Sequence, residues 1–89
     1  MKVCYIAKVT GKVQGVYFRA SAQNQAIDLS LSGYAHNQED GSLEVMVCGD
    51  EYNVQQMIDW LHEGPEDAEV VNVVTEQTPP RDLNHFSIG

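Results

Sequence analysis

The segment from Val9 to Arg19, Val-Thr-Gly-Lys-Val-Gln-Gly-Val-Tyr-Phe-Arg, combines two glycines four apart with an arginine. Residues of these types, placed between a strand and a helix, suit an anion. Glycine admits positive φ, so successive N–H groups can turn inward and form a concave nest. The helix beyond adds free N–H groups and the positive end of its dipole. Arg19 stands at that helix start. Its guanidinium keeps its charge and grips two phosphate oxygens with a rigid fork. Lys12 is expected to add positive field at the rim. The competing reading is an ordinary strand-to-helix loop with a surface arginine, and the spacing alone leaves both open.

Other chemistries fit less well. A cysteine phosphatase places five residues between its nucleophile and an arginine; here Cys4 lies fifteen residues before Arg19 and Cys48 lies after it. No covalent cysteine mechanism is expected. His36, His62 and His85 share no metal-ligand spacing, so no metal is expected. Glu39-Asp40 reads as a solvated turn rather than as the carboxylate pair of an acid–base catalyst.

The elements that must hold Arg19 follow from periodicity. Val3, Tyr5, Ala7 and Val9 alternate along a strand over Val3–Thr10. Phe18, Ala22, Ala26 and Leu29 make a helix stripe, with Ser32-Gly33 as its expected left-handed end. Tyr34–Asn37 and Leu43–Cys48 read as strands around an Asp40-Gly41 hairpin turn. Leu43, Val45 and Val47 alternate there with Glu44, Met46 and Cys48. Asp50 suits a helix N-cap, and Val54, Met57, Ile58 and Leu61 form the stripe of a second helix that Gly64-Pro65 stops. Val70–Thr75 is a β-branched strand, and His85–Ile88 admits a short terminal one. The order β-α-β-β-α-β predicts an α+β class: a ferredoxin-like sandwich, one antiparallel sheet with two helices on one face and room for a short fifth strand.

Composition bounds the rest. The 89 residues suit a single domain spanning 1–89. The net charge of −8 hides a division: residues 1–27 hold Lys2, Lys8, Lys12 and Arg19 and no acid, while all 13 acids share residues 28–89 with Arg81 alone. An acidic total argues against nucleic acid, which needs a basic face. No apolar run approaches the roughly 18 residues of a membrane span. Met1–Val9 reads as a strand rather than as a targeting segment, and a cytoplasmic monomer is expected.

The same residues carry a family resemblance. Val9–Arg19 resembles the acylphosphatase signature, hydrophobic-x-Gly-x-Val-Gln-Gly-Val-x-Phe-Arg, at every defined position. Gly33-Tyr34-Ala35-His36-Asn37-x-x-Asp40-Gly41-x-Leu43-Glu44, followed by Gly49, resembles the family's second signature. Trp60-Leu61-x-x-Gly64-Pro65-x-x-Ala68-x-Val70 is similar as well. The resemblance covers about residues 3–88.

It implies hydrolysis of the carboxyl–phosphate anhydride of a small acyl phosphate, with no cofactor. Inorganic phosphate or sulfate would bind as product-like anions. Arg19 falls on the family's phosphate-binding arginine and Asn37 on the asparagine that positions the attacking water. Val13, Gln14, Gly15, Val16, Tyr17 and Phe18 fall on the phosphate-cradling loop. The alternative is a non-catalytic anion-binding or regulatory module on the same fold. Two positions depart from the family's pattern. Leu43 replaces a valine, a mild change in a core. His36 stands where Lys or Arg is usual, which removes a fixed charge near the site.

In this fold the first and third strands are antiparallel neighbours. An in-phase register pairs Lys8 with Glu44, Ile6 with Met46 and Cys4 with Cys48. Opposed residues lie within disulfide range. A bridge and two reduced thiols both remain open.

Overall fold

The computed structural model describes all 89 residues. Its elements are β1 (Lys2–Lys12), α1 (Phe18–Asp28), β2 (Ser32–Asn37), β3 (Leu43–Asp50), α2 (Glu51–Glu63), β4 (Glu69–Thr78) and β5 (Phe86–Ile88). The sheet order is β4-β1-β3-β2-β5. The four long strands pair antiparallel, as expected. The fifth strand forms and lies parallel to β2, so the complete sheet is mixed. Its direction follows from the path: the chain leaves β4 at one edge, crosses the back of the sheet and joins the opposite edge.

Side-chain alternation sorts the core. Val3, Ala7 and Val9 of β1, with Leu43, Val45 and Val47 of β3, are buried against the helices. Phe18, Ala22 and Ala26 of α1 meet them, as do all four predicted stripe residues of α2. Each of the valine, leucine, isoleucine, methionine and phenylalanine side chains among them contributes about 1.5–3 kcal/mol by leaving water. Asp50 caps α2 by accepting the Tyr52 N–H at 3.2 Å, and Gly64 ends it with its N–H on the Trp60 carbonyl. Phe18 meets Trp60 edge to face, their centroids 5.5 Å apart.

Two features differ from expectation. The α1 helix ends earlier, at Leu29, and Ser30 rather than Gly33 takes the left-handed turn, at φ 57°. Gly33 belongs to β2 at φ 143°, where a Cβ would overlap the Met46 carbonyl oxygen of β3. Close strand approach, not helix capping, requires that glycine. Second, Met46 and Cys48 are buried although they face away from the helices. The crossing segment after β4 covers them: with Cys4 they form a second small core closed by Ile6, Tyr34 and Leu83.

The β1–β3 register is the in-phase one, with Lys8 opposite Glu44, Ile6 opposite Met46 and Cys4 opposite Cys48. Cys4 and Cys48 are joined by a disulfide, with Cα atoms 4.1 Å apart. Both are buried in the second core, where the Arg81 N–H reaches the Cys4 sulfur at 3.3 Å.

Candidate active site

The loop joining β1 to α1 is anchored from below. Val13, Val16 and Phe18 are buried among core residues, so these positions turn their side chains inward and leave main chain on the outside. Gln14 ties the loop sideways: its Nε2 donates to the carbonyls of Gln38 and Ser42, both at 2.9 Å. That fastens the loop to the β2–β3 hairpin, directly beside Asn37.

The loop's curvature comes from two left-handed residues. Gly15 has φ 73°. Tyr17 has φ 60° and ψ 23°, with its ring largely exposed. A bulky residue in this region costs roughly 1–2 kcal/mol, and such strain gathers at functional sites. Alternation of this kind turns N–H groups to one side. Tyr17 is also the N-cap of α1, yet no side chain caps the helix and no acid lies in its first turn. The positive end of the helix therefore faces outward without an internal anion. Gly11, the other glycine of the segment, plays no part in the nest: it lies within β1, where a Cβ would overlap the Glu69 carbonyl of β4.

A cavity of about 350 Å3 sits over this helix end, lined by Val13, Gly15, Tyr17, Phe18, Arg19, Ala20, Asn37 and Ile88. Arg19 and Asn37, 18 positions apart in the sequence, thus share one cavity with most of the loop. Gln14 and Val16 do not line it; they support it. A larger cleft of about 770 Å3 opens at the other end of α1 around Leu31, Leu83 and Phe86, and contains neither Arg19 nor Asn37. Arg19 donates through Nη1 to the main-chain oxygen of Gly89, just beyond β5. A guanidinium has five N–H donors, so the others remain for a ligand.

The lysines lie outside the cavity. Lys8 pairs with Asp40 at 2.9 Å and Lys2 with Asp82 at 3.3 Å. Lys12, expected at the rim, lies opposite Glu69 in the β1–β4 register and does not line the cavity. Asp40 accepts from the Ser42 hydroxyl and N–H, at 2.5 and 2.9 Å, and these bonds with the Lys8 ammonium hold its carboxyl far below the usual range. It is a structural acid of the hairpin turn.

His36 precedes Asn37 and points to the other face of β2, its ring stacked on Tyr34 with centroids 4.4 Å apart. The Tyr34 hydroxyl donates to Glu44 at 2.8 Å. Burial first, then the Glu44 bond and charge, push the phenol above its ordinary value against the opposing pull of Arg81.

Comparison with known proteins decides what kind of site this is. The acylphosphatase family model matches residues 5–88. An acylphosphatase of Colwellia psychrerythraea is 55% identical over 89 residues, covering both chains completely. The chain belongs to the acylphosphatase family. Among solved structures, an acylphosphatase from Coxiella burnetii superposes with a TM-score of 0.95 at 36% identity, over 99% of this chain and 93% of that one. One from Bacillus subtilis gives 0.93 at 28% identity, over 98% of each. The two helices on a five-strand sheet are thus the ferredoxin-like acylphosphatase fold. The activity is that of an acylphosphatase, a hydrolase of acid anhydrides acting on small acyl phosphates.

The sequence reading missed three supports of this site. The Gln14 side chain does more than belong to the loop: it locks the loop to the hairpin. Tyr17 takes a left-handed conformation that its residue type does not advertise. Gly89 meets Arg19 from 70 positions away. Only the Gln in the signature offered a signal, since a long polar side chain between buried valines needs partners.

Proposed function

We propose that the cavity carries out the hydrolysis with Arg19 holding the phosphoryl group and Asn37 aiming the water. The observation that carries this reading is their convergence in one cavity over an uncapped helix end. The substrate phosphate sits on the N–H groups of the loop from Val13 to Phe18, with the Arg19 fork on two of its oxygens. Asn37 has an acceptor and a donor on one amide, so it can orient a water opposite the leaving group while remaining a poor base.

The chemistry asks little more. The water oxygen forms a bond to phosphorus as the bond from phosphorus to the acyl oxygen breaks. The acyl group leaves as a carboxylate, which needs no general acid, and the water's proton passes to a phosphoryl oxygen. Charge spread over the equatorial oxygens makes positioning and electrostatics the main sources of rate. Neither cysteine lines the cavity, and both are tied in the bridge, which agrees with direct attack by water.

Such a site needs no cofactor, and inorganic phosphate and sulfate are its product-like ligands. The acidic surface, with Lys2 and Lys8 paired to acids, supports neither nucleic acid nor anionic membrane as partner. No helix is long and apolar enough to cross a membrane. A cytoplasmic monomer remains our reading. Thiol counting on protein alkylated at lysis tests the compartment: two free thiols at lysis, with the bridge closing only on later oxidation, fit the reducing cytoplasm, and a bridge already closed at lysis overturns the cytoplasmic reading.

The mechanism is tested with a model acyl phosphate, such as benzoyl phosphate, in chelator. Wild type is expected to turn over at full rate. Arg19→Lys keeps the charge and loses the fork, so activity should fall by at least about 10²-fold, toward the 10³–10⁵ assigned to positioned arginines in phosphoryl transfer. Retention of half the turnover overturns the role of Arg19.

A further inference from the structure

We propose that His36 is a positioning residue for Arg19: its ring closes the space beside Gly89 and so holds the Gly89 oxygen in place for the guanidinium. The proposal rests on the reading that Arg19 binds phosphate.

The register places the two together. β5 runs parallel to β2 with Gly33 beside Phe86, Tyr34 beside Ser87 and Ala35 beside Ile88. One step further sets His36 beside Gly89. A strand of three residues at a sheet edge has little to hold its end, and such ends fray. Here the imidazole packs against it. A Cβ on Gly89 would stand 2.9 Å from His36 Cδ2 and 3.2 Å from Nε2, closer than packed carbons tolerate. Ring and main chain therefore touch without slack.

The ring is itself fixed. It stacks on Tyr34 at an interplanar angle of 16°, and the Tyr34 hydroxyl is held by Glu44 on the neighbouring strand. Glu44 is also the residue opposite His36 in the β2–β3 register. A continuous set of contacts thus runs from Glu44 through Tyr34 and His36 to Gly89 and ends on Arg19 Nη1. An arginine left free loses rotamer entropy when it closes on an anion. One already held through Nη1 has lost much of that freedom beforehand and binds more tightly for it. The segment also supplies Ile88 to the cavity wall, so its end bears on the site twice. What the ring provides is a flat surface of the right size; a lysine or arginine at this position would have to fill the space with a flexible chain.

The test uses His36→Ala, His36→Phe, Gly89→Ala and the His36→Ala/Gly89→Ala double variant. Inorganic phosphate is titrated calorimetrically and as a competitive inhibitor of benzoyl phosphate hydrolysis, with melting temperature as the fold control. His36→Ala should weaken phosphate about 2- to 12-fold, the loss expected for one unrestrained long side chain, with KM rising in step. His36→Phe keeps the flat ring and should stay within about twofold of wild type. Gly89→Ala should weaken phosphate as His36→Ala does, and the double variant should lose little more than either single one.

The proposal is overturned if His36→Ala leaves phosphate affinity unchanged, if Phe falls together with Ala, or if the two single losses multiply. Should His36→Ala melt early, Gly89→Ala and His36→Phe decide alone. Intact phosphate binding in Arg19→Lys would defeat the underlying site reading, and this proposal with it. Loss of binding there combined with no effect at His36 would defeat this proposal only.

Discussion

Reducing the Cys4–Cys48 bridge should cost this small domain a large share of its stability while leaving its fold in place. The bridge links residues 44 apart, and that span contains the whole phosphate loop, α1, β2 and Asn37. Loop-closure entropy for about 44 residues is roughly 13 cal/mol/K, or about 4 kcal/mol at 25 °C in the chain-entropy account. A domain of 89 residues unfolds with an entropy of about 190 cal/mol/K, so 4 kcal/mol corresponds to about 20 °C in melting temperature. The reduced thiols stay in an apolar site beside Met46 and Ile6, where they pack as small hydrophobes and recover little of the loss. The assay is thermal unfolding by circular dichroism of oxidised protein, of protein reduced in denaturant and refolded in reductant, and of Cys4→Ala/Cys48→Ala. The reduced form should melt about 15–25 °C lower, and the double variant at or slightly below it through lost sulfur packing. Thiol titration of the denatured, unreduced protein should find none. Two free thiols, or melts within about 5 °C of each other, refute the argument.

Three further outcomes follow from particular contacts. Asn37→Ala should lower turnover at least about 10²-fold while inorganic phosphate still inhibits competitively; loss of that inhibition would make Asn37 a binding residue instead. Gly33→Ala places a Cβ against the Met46 carbonyl oxygen and should destabilise by about 3 kcal/mol or more, read by chemical denaturation; a cost below 1 kcal/mol would show that β2 and β3 can separate cheaply. Asp40 has its folded pKa depressed by Ser42 and Lys8, so its contribution is present above the ordinary carboxylate value of about 3.9 and drains away as pH falls below it. The melting-temperature gap between wild type and Asp40→Asn should therefore be open at pH 7 and narrower at pH 3, and a constant gap would remove Asp40 from the account.

Periodicity exposed the β-α-β-β-α-β order because each element hides one face. Leu43, Val45 and Val47 at period two, and Val54, Met57, Ile58 and Leu61 at helical spacing, leave little choice of orientation. The β1–β3 register could be read for the same reason: a one-residue slip would turn Val3, Ala7 and Val9 away from the helices. What stayed hidden depends on contacts between distant segments. Met46 and Cys48 look solvent-facing until the chain returning from β4 lays Leu83 over them. Gly33 resembles a helix end because its requirement comes from Met46 on another strand, not from its neighbours. In the site, the types and spacing of Arg19 and Asn37 were visible, but Gln14 bonding to the hairpin and Gly89 meeting Arg19 are properties of the closed sheet.

The charge division along the chain resolves in the same way. Of the four cations before residue 28, Lys2 and Lys8 pair with acids from the later part, and Lys12 faces Glu69 across the ladder. Arg19 differs in its partner: no aspartate or glutamate side chain pairs with it, and its Nη1 donates to a main-chain oxygen of Gly89. It also sits at the unfilled positive end of α1, above a loop held by buried valines and Phe18. Fixed dipoles and one guanidinium unpaired with any acidic side chain act over a few ångströms, whereas the surrounding acids are exposed and screened within about 10 Å at ordinary salt. A protein of net charge −8 can thus bind an anion, because the local field, and not the total, is what the phosphate meets.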